Sequence, residues 1–396
     1  MNSRGTSVPE AAAALPAALA VQAAAGRVAL VHDWLTGMRG GEKCLEVLCE
    51  LFPRADLFTL VHVPGSVTPV IEARRITTSF VQRLPAAARG YRRYLPLFPA
   101  AIESFDLRAY DLVISSSHCV AKGVRPRAGA VHVCYCYTPM RYVWDQFDAY
   151  FGPGRADFAT RIAAGAARGA LQRWDLHSAA RVGRFVAISE FVRQRIRRYY
   201  DRDAEIVYPP VRCEAFAPDP RGPDDYFLAV AAFAGYKRLD LAIEAARRAR
   251  VRLVVVGQGP DAERLQRLAA GSRVEFLPWQ SEAALARLMA RCRALVFPGE
   301  EDFGITPVEC MAAGRPVIAY GAGGALETVL PGRSGVLVAN HDPDAWARAL
   351  RGFRDDAFDS AILRAHAMQF DRPRYRAAMV AQLASACAAH RVGSIS

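Results

Sequence analysis

The stretch from Ala294 to Gly324 limits the fold of this chain more than any other. Ala294-Leu295-Val296-Phe297 is a short apolar run, the pattern of a strand buried on both faces of a parallel sheet. An acidic, glycine-containing loop follows, then a helix start with Thr306 as the expected N-cap and Pro307 as first helical residue. Gly314, followed by Pro316, marks the helix end. The next strand is Pro316 to Tyr320, closing into the glycine-rich turn Gly321 to Gly324.

Such a strand–loop–helix unit brings the backbone N–H groups of Gly304 to Thr306 to the positive end of a helix, a geometry suited to phosphate. Glu301 precedes the helix and Glu309 lies near the end of its first turn. Carboxylates beside a phosphate site are costly unless they accept hydrogen bonds, and sugar hydroxyls supply such bonds. A surface helix with acidic residues near its N-terminus is the other reading of these two glutamates.

The segment Glu301 to Thr328 resembles the signature of retaining glycosyltransferases with two Rossmann-like domains, the GT-B fold, family 4. It reads Glu301…Glu309…Ala313-Gly314-Arg315-Pro316-Val317…Gly323-Gly324-Ala325-Leu326-Glu327. The resemblance covers nearly all of residues 28 to 390. It implies an α/β chain of GT-B type, with two doubly wound parallel-sheet domains facing a central cleft that takes a nucleotide diphosphate sugar.

Composition sets outer bounds. A length of 396 residues suffices for two domains, and 52% hydrophobic with 23% charged residues describes a globular chain. No run of about twenty uncharged apolar residues occurs, so no transmembrane helix is expected. The nine cysteines form no CxxC pair, which argues against metal sites and a disulfide framework and for a reducing cytoplasm. The net charge of +12 has two readings: a surface for an anionic partner, or arginine-rich solvated helix faces.

Residues 1–25 are Ala-rich with Pro9 and Pro16, and are expected to be a disordered extension rather than a signal peptide. Val28 to Val31 is an apolar strand entering a loop that contains His32-Asp33-Trp34 and Gly40-Gly41, without a GxGxxG dinucleotide fingerprint. Gly40 and Gly41 match the family's Gly-Gly at the donor. Between residues 70 and 108, seven arginines alternate with aromatic and apolar side chains, which fits either a membrane-interfacial surface or half-buried helices with snorkelling arginines. Lipid-linked acceptors in the resembled family favour the first reading. Strands at residues 111–114 and 130–135 end in loops holding His118 and Tyr137. Relatives commonly place a histidine where Tyr137 stands, so a tyrosine hydroxyl, or His118, would have to serve there.

The proline cluster Pro218, Pro220 and Pro223 with Gly222 is the expected domain boundary, after which strands and helices alternate again. The resulting domains are 26–212, with a helix at about 373–390 returning to it, and 213–372. Gly235-Tyr236-Lys237-Arg238 places a point-charge ammonium and a forked guanidinium before a helix. Lys237 matches the family's diphosphate lysine. The arginine usual five residues earlier is Ala232 here, and Arg238 could compensate. Trp279 stands where the family holds the nucleotide base, although core packing explains a tryptophan equally well.

By this resemblance the catalytic group is Glu301, Lys237, Arg238, Tyr137 and His118. Donor binding falls to Gly40, Gly41, Phe303, Gly304, Ile305, Thr306, Glu309 and Trp279. No metal or other cofactor is expected. The residue runs at 32–34, 137–142 and 236–240 resemble a bacterial branch that assembles polysaccharides and often transfers mannose, from GDP-mannose, onto lipid-linked or oligosaccharide acceptors. The protein would then be cytoplasmic or peripheral on the inner face of the cell membrane, with no nucleic-acid partner. Two other readings stay open: a soluble-acceptor enzyme of the same architecture, and a non-catalytic partner subunit.

Overall fold

The computed structural model describes residues 16–23, 26–145, 147 and 158–393. The chain folds into two compact units, Met1–Pro210 with Pro373–Ser396, and Val211–Arg372. It therefore changes unit at Pro210, ahead of the expected proline boundary. Pro218 to Pro223 belongs to the second unit, where Arg291 holds the segment through the Gly222 carbonyl at 2.8 Å and the Asp224 carboxylate.

The first unit is built on β1 (Val28–His32), β2 (Asp56–Thr59), β3 (Ile76–Thr78), β4 (Leu112–Ser117), β5 (Val131–Cys136), β6 (Arg184–Ala187) and β7 (Ala204–Ile206), in the order β3-β2-β1-β4-β5-β6-β7. Every pairing is parallel. β1 and β4 are buried along their whole length, as strands covered by helices on both faces are, the polar end Ser115-Ser116-Ser117 of β4 included. Strand order reverses between β1 and β4, with His32 opposite Ser116. The loops leaving these two strands thus flank the crevice in which open α/β sheets take ligands.

The second unit repeats the plan with β8 (Phe227–Val230), β9 (Leu253–Val256), β10 (Val274–Leu277), β11 (Leu295–Phe297), β12 (Val317–Tyr320) and β13 (Gly335–Val338), ordered β10-β9-β8-β11-β12-β13 and all parallel. Its reversal lies between β8 and β11. Trp346, Phe227, Ile243 and Leu350 anchor its core.

Several local expectations change. Residues 16–23 are helical, with Ala18 and Val21 buried, whereas residues 1–15 and 24–25 lie outside the described residues. The helix after β11 runs Ile305–Ala312 and is capped by Gly304 at φ +88°, so Thr306 is not the cap and Pro307 is the third helical residue. Ser189, just after β6, caps the helix Glu190–Tyr200, its hydroxyl accepting from the Val192 amide at 3.1 Å. The C-terminal stretch holds the helices Pro343–Arg351, Ser360–Ala367 and Arg372–Gly393.

Between residues 70 and 108 the apolar side chains Val81, Tyr91, Leu95 and Phe98 join the core of the first unit. The Arg92 guanidinium lies 4.7 Å from the Tyr91 ring centroid and 5.7 Å from that of Trp34. The apolar side chains of this segment are thus buried, while Arg83, Arg89, Arg92 and Arg93 stay exposed on its outer side. Below the loop after β4, Lys122 and Asp175 form a buried ion pair at 2.5 Å. Asp175 also accepts from Trp144 Nε1 and the Tyr200 hydroxyl, both at 2.8 Å. Such a pair repays its desolvation only with these extra bonds.

Candidate functional site

In the second unit the loops leaving β8 and β11 meet at the strand reversal. Lys237, in the short helix Gly235–Lys237, forms an ion pair with Glu301, whose loop follows β11. Both side chains are mostly buried, and the Lys237 Nζ lies 5.0 Å from the Tyr236 ring centroid. Arg238 takes a left-handed conformation at φ +52° and turns its guanidinium toward Asp240 at 3.4 Å.

The close approach of these loops depends on glycines. A Cβ on Gly324 would fall well inside van der Waals distance of the Phe303 α-carbon, and the Gly324 amide donates to the Glu301 carbonyl at 2.8 Å. The turn Gly323-Gly324 therefore sets the height of Glu301 above the sheet. Gly304 then starts the helix Ile305–Ala312, and the first-turn amides of Ile305 and Thr306 have no carbonyl partner in the helix ladder. Their partial positive charge lies just beyond Glu301 in the chain. Phe303 is buried and packs edge-on against Phe370 at 5.6 Å. Glu309 is 4% exposed, whereas Trp279 is 56% exposed and contributes little to any core.

One contributor here carried no motif. His341, three residues beyond β13, lies against Tyr320 with ring centroids 4.0 Å apart and donates from Nε2 to the Pro298 carbonyl at 3.2 Å. Burial and the nearby Arg238 charge lower its pKa, so it supports the loop toward Glu301 as a neutral ring. Its position at the C-terminal sheet edge was the available signal.

In the first unit Tyr137 is buried, and its hydroxyl bonds the Ser116 hydroxyl at 2.7 Å and donates to the Gly41 carbonyl at 2.9 Å. Ser116 also meets His32 Nδ1 at 2.9 Å, and His32 Nε2 lies 3.8 Å from Glu42. Gly40 and Gly41 open the helix Gly40–Leu51, and Glu42 accepts from the Arg39 amide at 3.0 Å. Burial would raise the Glu42 pKa, but the close approach of His32 outweighs it and lowers it. Tyr137 is thus a buried strut between β4 and the Gly40-Gly41 turn. His118, by contrast, is partly exposed and held by Asp33, a residue to which the sequence reading gave no role.

Each sequence-expected residue therefore stands at the C-terminal edge of a parallel sheet or, for Glu309, within the helix beside it. Lys237, Arg238, Glu301, Phe303, Gly304, Ile305, Thr306, Glu309 and Trp279 belong to the second unit; Gly40, Gly41, His118 and Tyr137 belong to the first. Among the described residues, no group of three or more His, Cys, Asp or Glu is arranged to hold a metal ion.

Residues 214–368 match the family model for glycosyl transferases group 1. The chain is 36% identical over 169 residues to D-inositol 3-phosphate glycosyltransferase of Mycobacterium marinum, which is 37% of this chain and 36% of that protein. With the enzyme of the same name from a Nocardioides species it shares 33% over 215 residues, 44% of this chain and 46% of that one. The chain thus spans less than half the length of these curated relatives. Among solved structures, Anabaena Alr3699/HepE in complex with UDP and glucose superposes with a TM-score of 0.66 at 17% identity, covering 90% of this chain and 99% of that one. WaaG, a glycosyltransferase involved in lipopolysaccharide biosynthesis, superposes with a TM-score of 0.60 at 16% identity, covering 87% and 94%. By sequence the second unit is similar to the group 1 glycosyl transferases, and by structure the chain has the GT-B fold.

Proposed function

We propose that this protein is a glycosyltransferase that moves a sugar from a nucleotide diphosphate sugar, with the donor held by the second unit. The observation that carries the reading is the Lys237–Glu301 pair beside the helix that Gly304 opens. A diphosphate there meets Lys237, Arg238 and the first-turn amides, which stabilise the charge of the departing group much as an oxyanion hole does. Glu301, displaced from Lys237 by the phosphate, is then free to accept bonds from sugar hydroxyls. Glu309 takes the ribose hydroxyls, and the exposed Trp279 offers a face to the base. Anomeric configuration is retained and no metal takes part; Lys237 and Arg238 supply the positive charge.

The finer assignment is mannose from GDP-mannose to a lipid-linked or oligosaccharide acceptor in cell-surface polysaccharide synthesis. It is supported by the residue runs of the first unit and by the exposed Arg83, Arg89, Arg92 and Arg93 beside exposed Leu97, a surface suited to anionic lipid on the cytoplasmic face. No helix among the described residues is long and apolar enough to cross a membrane. A soluble acceptor is the second reading, favoured by the similarity to D-inositol 3-phosphate glycosyltransferases.

Thermal denaturation with nucleoside diphosphates and nucleotide sugars tests the proposal. A ligand at ~100 times its Kd adds about 2.7 kcal/mol. GDP stabilisation that disappears in Lys237→Ala supports GDP-mannose, and UDP stabilisation redirects the sugar. Glu301→Gln should keep nucleotide binding and lower turnover roughly 100-fold, the scale seen when one group aimed at the reacting centre is lost. Absence of any nucleotide response overturns the donor site.

A further inference from the structure

The second unit holds two of the chain's eight histidines, His341 and His366. The Pro298 carbonyl can only accept, so Nε2 of His341 carries the proton of the neutral ring and Nδ1 is left as a lone pair. No described residue bonds Nδ1. The ring is half-buried against Tyr320, with a place for a second proton open. Pro298 leads into Gly299, where a Cβ would stand 3.0 Å from the Tyr236 carbonyl oxygen and 3.1 Å from the Lys237 α-carbon. His341 thus holds one loop of the donor site against the backbone of the other, and Glu301, two residues on, pairs with Lys237.

Charges reach this ring from both loops. Arg238 and Asp240 come from the loop and helix after β8, Glu300 comes from the loop after β11, and β12 contributes the phenol of Tyr320. On its own segment, Asp342 is engaged as the cap of the helix Pro343–Arg351, accepting the Asp344 and Ala345 amides at 3.1 and 3.2 Å. Burial and Arg238 oppose a second proton on His341, while the Pro298 bond, Glu300 and Asp240 favour it, and the balance in the free protein is against it. A diphosphate beside Arg238 alters that balance. Its two negative charges cancel the guanidinium and add an attraction of their own, and an opposite charge within ~4–6 Å favours the charged form of a titrating group.

On the donor-site reading, we propose that His341 is a proton-linked positioning residue: neutral while it props Pro298 in the free protein, it takes up a solvent proton at Nδ1 as the diphosphate enters. The second proton leaves the Nε2 bond to Pro298 in place, so the charge changes without loss of the prop. Nucleotide-sugar binding then strengthens as pH falls, because the complex holds the proton more firmly than the free protein does. A tenfold difference in proton affinity makes binding about tenfold tighter well below both midpoints, and draws in about half a proton at a pH midway between them.

Calorimetric titration of the full chain with UDP-glucose, ADP-glucose and GDP-mannose, at about pH 6 in two buffers of different ionisation enthalpy, counts the protons taken up. These probes are diphosphate diesters, with no phosphate that titrates near that pH. The Kd of the tightest probe is then followed from about pH 8 to about pH 5.5. Uptake of roughly half a proton, with a Kd that falls about 3- to 10-fold over that range, is expected. His341→Gln keeps a donor for the Pro298 carbonyl but does not titrate; it should bind as wild type at the upper pH and lose both the uptake and the pH dependence. His341→Ala also removes the prop and should bind about 3- to 10-fold more weakly at the upper pH. His366→Gln, at the unit's other histidine, should take up protons as wild type does. A wild-type protein that binds without uptake, or equal uptake in His341→Gln, overturns the proton link and leaves the donor site standing. A wild-type protein that binds none of the probes overturns the donor site and the proton link together.

Discussion

His132 shows how burial, ahead of any neighbouring charge, sets the behaviour of a single side chain in this molecule. It points into the sheet from β5, 3% exposed, with Nε2 on the Ser115 hydroxyl at 2.9 Å and no partner for Nδ1. Burial first, and then the charges of Arg181 and Lys122, lower its pKa to about 4, against an ordinary 6.5. Between those pH values the unfolded chain holds the extra proton and the folded chain does not. The contribution of His132 to stability is therefore level above pH 6.5 and falls as pH drops toward 4. Urea midpoints at about pH 7.5, 6 and 5 should decline in that order, and less steeply in His132→Gln. An unchanged slope in the variant would remove His132 from the account.

At the scale of elements, the second site is held by glycine turns as much as by charge. The Gly324 position touches the Phe303 backbone, so Gly324→Ala should cost roughly 1–3 kcal/mol and abolish nucleotide stabilisation by displacing Glu301. Gly165→Ala, in the helix Phe158–Ala180 with nothing within 4 Å of the new methyl, is the matched control. It should raise stability by about 0.5–1 kcal/mol. Chemical denaturation of both proteins checks the pair. The glycines were legible in the sequence, as were the apolar runs that became β1, β4 and β11. The helix cap was not: a threonine before a proline satisfies the local rule, but the chain leaves β11 through a left-handed Gly304 and starts the helix early. The pairings were hidden too. Lys237 meets Glu301, and Asp33 meets His118, only because β8 lies beside β11 and β1 beside β4. Strand order of this kind leaves no trace in periodicity.

At the scale of the whole molecule, the second unit is bounded by two neighbouring points of chain. The Val211 amide donates to the Phe370 carbonyl at 2.9 Å, so residues 211–372 begin and end side by side. That fragment, with its own sheet and core, should fold alone and respond to the same nucleoside diphosphate as the full chain. A cooperative melt raised by that ligand is the expected result, and a fragment lacking both would contradict the unit boundaries. The first unit has no such independence. Its helix Arg372–Gly393 buries Tyr375, Met379 and Leu383, with Tyr375 edge-on to Tyr135 at 5.5 Å. On the ribosome these residues emerge only after the whole second unit has been made. The portion of the protein synthesised first must wait, incomplete and with the apolar surface around Tyr135 uncovered, while the later portion finishes folding. In the cell this interval is the stretch of its life in which the chain is most open to aggregation and to chaperones.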